Sequence, residues 1–375
     1  MSNTSIRRDF EHTDFESTEA LIVWNALVEP GDRVASDLLR SLGPKKALDS
    51  FLNRQDLGTD ALDAYERWAP RYSPTLAAEK LKIAKKQDLK LLLPTDKQWP
   101  RQLDDLGPHA PLLLWYRGNP EHFHSLQRSV GLIGSRNATQ YGQRVTSELA
   151  AKLVLERAVV VSGGALGIDS VAHRTALKLE GVTVAFMAGG LDSLYPAANF
   201  ELFESIGHSG LLLSEMSPGA RPTRWRFLQR NRLIAALSEA TVVTEAGWRS
   251  GSINTVNHAN ELGRKVFAVP GPISSPASAG CNRLIRDGQA DMVLDVDDLP
   301  TELGWRTALE TTFDGMGTLE LRALDALDGT FQTLQEILRA SGLSMQELRT
   351  ALGALKMIGM VENDQNHGWK RSETR

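Results

Sequence analysis

Three apolar runs in one stretch of the chain each end in a small-residue turn that opens a helical pattern, and this repeated order leaves few folds open. Val130 to Ile133 ends at Gly134-Ser135-Arg136. Val159 to Val161 ends at Ser162-Gly163-Gly164 and runs on through Ala165-Leu166-Gly167-Ile168-Asp169, and Val182 to Met187 ends at Ala188-Gly189-Gly190. Short β-branched runs alternating with helix-length segments predict parallel strands joined by crossover helices. Leu211 to Leu213, Thr241 to Thr244, Val266 to Val269 and Met292 to Leu294 continue the pattern, while Leu91-Leu92-Leu93 and Leu112 to Gly118 extend the same sheet. The fold class is α/β, a doubly wound, mostly parallel sheet of about six or more strands. In such a sheet the loops leaving the strand C-termini share one edge. There, helix N-termini present free N–H groups and a positive dipole end, so the edge favours anions.

Around the sheet, expected over 79–300, the chain divides further. Residues 1–19 are polar and read as a disordered N-terminus. Residues 20–75 read as a small all-α module built around Glu29-Pro30-Gly31-Asp32. The module is either a SAM or helix-hairpin-helix type DNA binder or a packing element, and the missing glycine-rich cradle in its turn favours packing. Lys80, Lys82, Lys85, Lys86 and Lys90 fit a solvated helix face. Residues 301–317, with Gly304, Gly315 and Gly317, form a linker candidate. Beyond it, 318–375 read as three helices and a hairpin, a winged-helix pattern, with Ser344 and Glu347 placed as a capping box.

Composition excludes several functions. A net charge of -4 and a pI near 6.1 argue against indiscriminate polyanion binding, so any nucleic-acid surface must be local. No apolar run reaches the roughly 18 residues of a membrane span. A lone cysteine, Cys281, fits a reducing compartment, which makes the cytoplasm the expected location. The glycine spacing is not that of a dinucleotide fingerprint and no Gly-Lys-Ser/Thr loop is present, so ATP hydrolysis is not expected. The histidines are scattered, which leaves no metal site, and Asp169 with His173 fits a structural pair better than an acid–base one. No catalytic residue and no cofactor are expected.

The sharpest local charge lies between Glu215 and Glu239, where Arg221, Arg224, Arg226, Arg230 and Arg232 occur with no intervening acid and with Trp225 and Phe227 among them. Arginine tracks phosphates while an aromatic face stacks an unpaired base. This cluster is expected just ahead of a helix, at the same edge as the glycine turns. The candidate DNA contacts are therefore Gly134, Ser135 and Arg136; Ser162, Gly163 and Gly164; Arg224, Arg226, Phe227, Arg230, Asn231 and Arg232; and the turn Ser250, Gly251 and Ser252.

These motifs, in this order, resemble the DprA (Smf) family of natural transformation. The matching residues are Gly134-Ser135-Arg136 with Thr139 and Tyr141-Gly142, Ser162-Gly163 through Gly167-Ile168-Asp169 to Ala172-His173, and Gly190-Leu191-Asp192 with Tyr195-Pro196. Arg230-Asn231-Arg232, Ser250-Gly251-Ser252, Val269-Pro270-Gly271 and Gly280-Cys281-Asn282 with Leu284-Ile285 complete the set. The resemblance implies an extended Rossmann domain that binds single-stranded DNA, acts as a homodimer, and loads RecA onto DNA covered by single-strand-binding protein. It places phosphate contacts on Arg136 and Arg224 and a base contact on Phe227. Leu166 stands where the family commonly has arginine and Leu228 where proline usually follows the Phe, with Arg226 offering a compensating charge.

Two alternatives belong to other classes. The fold also resembles phosphoribohydrolases that release bases from nucleoside monophosphates, but their Pro-Gly-Gly-x-Gly-Thr turn is replaced here by Glu245 to Ser252. The other is a duplex-binding regulator acting through the C-terminal helices, whose Ser344 to Lys356 segment carries only Arg349 and Lys356 as bases.

Overall fold

The computed structural model describes residues 15–55, 57–305, 317–364 and 368–372. They fall into two compact units, Met1–Asp298 and Leu299–Arg375. The first unit begins with five helices, α1 (Phe15–Leu27), α2 (Arg33–Leu42), α3 (Pro44–Asn53), α4 (Thr59–Trp68) and α5 (Leu76–Lys86). Of the disordered N-terminus expected over 1–19, residues 1–14 lie outside the described residues. From Phe15 the chain is already helical, because Thr18 and Ala20 turn inward with the apolar face that follows.

Nine strands follow: β1 (Lys90–Leu92), β2 (Leu114–Gly118), β3 (Ser129–Gly134), β4 (Val159–Ser162), β5 (Thr183–Phe186), β6 (Leu211–Ser214), β7 (Ala240–Glu245), β8 (Lys265–Ala268) and β9 (Asp291–Met292). They form one sheet in the order β1-β2-β6-β5-β4-β3-β7-β8-β9. Strands β3 to β9 pair in parallel, and β2 joins β6 antiparallel, with β1 antiparallel to β2. The crossover helices are α6 (Gln140–Leu155), α7 (Ile168–Lys178), α8 (Phe200–Ser209), α9 (Arg224–Leu237) and α10 (Ser252–Glu261), with α11 (Ala279–Arg286) before β9. Strands β4 to β7 are buried at every residue, as a sheet covered on both faces requires. From β3 the chain winds outward through β4, β5 and β6, then returns on α9 to place β7 on the other side of β3. That reversal opens a crevice between the C-termini of β3 and β7.

The segments expected as a 20–75 module and a 79–300 sheet share one core. Trp24, Phe51 and Trp68 pack with ring centroids 5.2 to 6.4 Å apart. They continue into Ala185, Met187, Phe203 and Leu212 of the sheet layer. The Glu29–Asp32 turn is half-buried: His109 Nδ1 lies 2.9 Å from the Gly31 carbonyl, and Asp32 accepts from Ala35 N and from Trp68 Nε1 at 3.1 Å.

The second unit carries helices Thr318–Asp325, Leu334–Ser341 and Met345–Met357 and an antiparallel pair, Val361–Asp364 with Gly368–Arg371. Leu324, Ile337, Leu348, Leu352 and Leu355 form its core. The Ser344–Glu347 capping box is present, and so is a second, Thr333 with Glu336, that the residue pattern had not singled out. The expected linker 301–317 starts inside helix Asp298–Glu302, and residues 306–316 lie outside the described residues. Among the described residues no helix is long and apolar enough to cross a membrane.

Candidate nucleic-acid interface

Three strand-end turns meet at the crevice because glycines let their backbones touch. After β3, Ser135 N donates to the Glu245 carbonyl at the end of β7, 2.7 Å, and the Ser135 carbonyl accepts from Ile168 N at the start of α7, 3.1 Å. A Cβ at Gly134 would stand 2.7 Å from the Glu245 carbonyl, and one at Gly167 (φ +81) 2.2 Å from the Ser135 carbonyl. Neither approach survives a side chain.

Two carboxylates of the chain occupy the amides that a ligand phosphate would otherwise claim. Glu245, buried, accepts from Thr139 N at 3.1 and 3.3 Å and from Thr139 Oγ1, and so fixes the residue whose hydroxyl caps α6 by accepting from Gly142 N at 3.1 Å. Gly142 in the first turn leaves room for it, since a Cβ there would lie 2.7 Å from Glu245 Oε2. Asp169, also buried, accepts from Gly163 N and Ala165 N, each at 3.2 Å. This turn therefore closes on itself. Ser162, Gly163 and Gly164, expected among the DNA contacts, are not among the residues lining the cavity, though Ala165 and Asp169 beside them are. Ser162 Oγ donates to the Leu132 carbonyl at 2.6 Å, and the Gly164 carbonyl accepts from Asn199 at 3.0 Å.

Four of the five arginines lie within α9 and Arg221 ahead of it, and most of the cluster's charge is turned inward. Arg230 is buried and donates to the carbonyls of Gly163 at 2.6 Å and Phe186 at 2.5 Å. Burial lowers its guanidinium to about 10, against the pull of Asp169. The same burial raises Asp169, which the Arg230 charge and two backbone N–H groups oppose. Arg232 is buried in a two-pronged pair with Glu215, 2.6 Å on each arm. Arg226, the expected compensation for Leu166, is engaged by Glu29 at 2.9 and 3.0 Å. Burial alone would raise the Glu29 carboxyl, but hydrogen bonds and charge from Arg226 and Arg71 hold it below the ordinary range. Of the five arginines, Arg221 and Arg224 are exposed.

What remains open is a cavity of about 570 Å³ at the reversal point, within the range of ~300–1,000 Å³ usual for ligand clefts. Gly134, Ser135 and the exposed Arg136 line one side, Phe227, Leu228, Arg230 and Asn231 the floor, and Gly247 to Ser252 the other side. Phe227 is half-buried, with the Tyr195 ring 5.8 Å away and the Arg136 and Arg230 guanidinium carbons 5.4 and 5.8 Å from its centroid. At the N-terminus of α10 the N-cap is Gly251, without a side chain; Ser250 Oγ makes a long contact to Ser252 N, 3.4 Å, and the Ser250 and Ser252 hydroxyls share one hydrogen bond, 2.7 Å. The cavity thus joins an aromatic floor to a cationic rim and a loosely capped helix start, a combination suited to a phosphate with its base. Among the described residues no group of three or more His, Cys, Asp or Glu side chains is arranged to hold a metal.

A family model described as DNA recombination-mediator protein A matches residues 90–304. A chain named for DNA processing in Mycobacterium tuberculosis is 38% identical over 354 residues, 90% of each chain. The DNA processing protein DprA of Bacillus subtilis is 34% identical over 246 residues, 66% of this chain and 80% of the other. Among solved structures, DNA processing protein A of Streptococcus pneumoniae aligns with a TM-score of 0.63 at 31% identity, covering 78% of this chain and 98% of its own. The Helicobacter pylori protein, whose structure is described for its single-stranded DNA binding mode, aligns at 0.52 and 31% identity over 57% and 95%.

Proposed function

Because the chain belongs to the DNA recombination-mediator protein A family, whose members are DNA-binding mediators rather than enzymes, we propose that it binds single-stranded DNA in the crevice between β3 and β7. The observation that carries this reading is the meeting of Gly134-Ser135-Arg136, Phe227 and the Ser250-Gly251-Ser252 turn at the start of α10 in one cavity. Arg136 with the Ser135 and Ser250 to Ser252 hydroxyls takes phosphate, Phe227 a base, and Asn231 and the exposed Arg224 flank the path. Base edges stay free along most of the strand. That suits a mediator that protects incoming DNA and hands it to RecA from strands coated by single-strand-binding protein, in the cytoplasm and as a homodimer. The three helices and hairpin of the C-terminal unit support a winged-helix reading for that part.

Fluorescence anisotropy with labelled single-stranded and duplex oligonucleotides over a salt series tests the reading. The wild type is expected to prefer single strands, and Arg136→Ala to weaken binding with a log–log salt slope smaller by about 0.7, the signature of one lost phosphate contact. Equal duplex binding untouched by the substitution would move the function to the C-terminal helices. Arg226→Ala is the internal control. It removes the Glu29 pair and is expected to lower unfolding free energy by about 1–2 kcal/mol in urea while leaving the salt slope alone. A smaller slope would return Arg226 to the DNA.

A further inference from the structure

The lip formed by the turn after β7 carries an aromatic residue outside the arginine-rich helix. Trp248 lines the cavity between Gly247 and Arg249 and remains 54% exposed. Its ring is held in place. The Arg283 guanidinium carbon of α11 lies 4.6 Å from the indole centroid, within cation–π range. Helix α11 is itself docked on this turn: Gly280 N donates to the Ala246 carbonyl at 2.7 Å, and a Cβ at Gly280 would stand 2.6 Å from the Gly247 carbonyl. On the other flank Ser250 N donates to the Gly247 carbonyl at 3.1 Å. A broad aromatic ring, fixed in advance, loses little rotamer freedom when something stacks on it. Phe227 already packs against Tyr195 and Arg136 on the floor, so Trp248 is a separate platform lining the same cavity.

We propose that Trp248 forms a second base-stacking subsite, taking one unpaired nucleobase of a strand whose phosphate rests on Gly134 to Arg136. This rests on the single-stranded DNA reading above. An unpaired base offers a free π-face whatever its identity, so the subsite adds affinity for single strands without choosing sequence. Duplex bases, stacked on both faces, gain nothing from it.

The test is anisotropy with labelled oligothymidylate and with a fully abasic strand of equal length, using the full chain. Trp248→Ala is expected to raise Kd for oligothymidylate about tenfold with an unchanged salt slope, within the range of one stacked base. Trp248→Phe is expected to recover most of the loss, and the abasic strand to bind wild type and Trp248→Ala equally. An unchanged Kd in Trp248→Ala, no rescue by phenylalanine, or an abasic strand that binds wild type as tightly as oligothymidylate overturns the subsite. The last comparison stands even if the alanine variant misfolds. If Arg136→Ala weakens binding and Trp248→Ala does not, the subsite alone falls. Failure of the wild type to bind single strands removes the parent reading and the subsite together.

Discussion

Replacing Arg230 with methionine is expected to destabilise the protein by about 2–5 kcal/mol, because two buried carbonyls lose their donor at about 1–3 kcal/mol each. The side chain of Arg230 is a brace between neighbouring strand ends. It bonds the carbonyls of Gly163, just past β4, and of Phe186, the last residue of β5, and its charge opposes the burial of Asp169, which in turn gathers the Gly163 and Ala165 amides. Methionine fills much of the volume but leaves two carbonyls without donors and a buried carboxylate without its cation. Urea unfolding of wild type and Arg230→Met measures the difference. A loss below about 1 kcal/mol would show that Arg230 is not the brace. Adding Asp169→Leu to Arg230→Met is expected to recover part of the stability, because the stranded charge is then gone.

A second large effect is expected from acid. His173 is fully buried, with Nδ1 2.7 Å from Thr183 Oγ1, and that hydroxyl donates its own hydrogen to the Val160 carbonyl at 2.8 Å. Nδ1 must therefore carry the proton, and Nε2 is buried with no hydrogen-bond partner. Burial, then the charge of Arg230, pushes its pKa from the ordinary 6.5 down to about 3. Between these values the unfolded chain holds a proton that the folded chain does not, so stability rises with pH across the window. The contribution is complete above 6.5 and is lost as pH falls toward 3, at up to about 1.4 kcal/mol per pH unit. In His173→Leu this slope disappears, at the loss of about 1 kcal/mol from the hydrogen bond to Thr183. Urea unfolding at pH 7, 6 and 5 is expected to show the variant weaker at the top and gaining on the wild type below. Parallel curves would mean that His173 does not stay neutral.

Much of this architecture was legible from residue order. Val159 to Val161 followed by Ser162-Gly163-Gly164 can hardly be other than a buried strand and a tight exit, and the Gly134 and Ser250 turns did converge with them on one edge. The direction of the arginines was not legible. Arg226 pairs with Glu29, in the turn between α1 and α2 and distant in sequence, and Arg232 with Glu215, just beyond the acid-free run that made the cluster stand out. A charge run is local, whereas its neutralising partners are brought in by the crossover and the helical cap. Trp248 escaped notice for a similar reason. One tryptophan in a glycine-serine turn has no pattern, and only the docking of Gly280 and Arg283 gives it a fixed place.

Glu245 has a consequence for competition inside a cell. In many sheets of this winding, the helix start after a strand at the reversal point receives the phosphate of a small cofactor. Here the protein's own carboxylate is already seated on α6, and Asp169 does the same at the neighbouring turn. A free nucleotide brings one short phosphate chain and finds the deepest amides taken. A strand of the kind proposed would instead draw on the shallow rim at several successive phosphates. Two internal acids thus leave the turns at α6 and after β4 with fewer amides for any phosphate, monomer or polymer, and shift what can be gained to the rim.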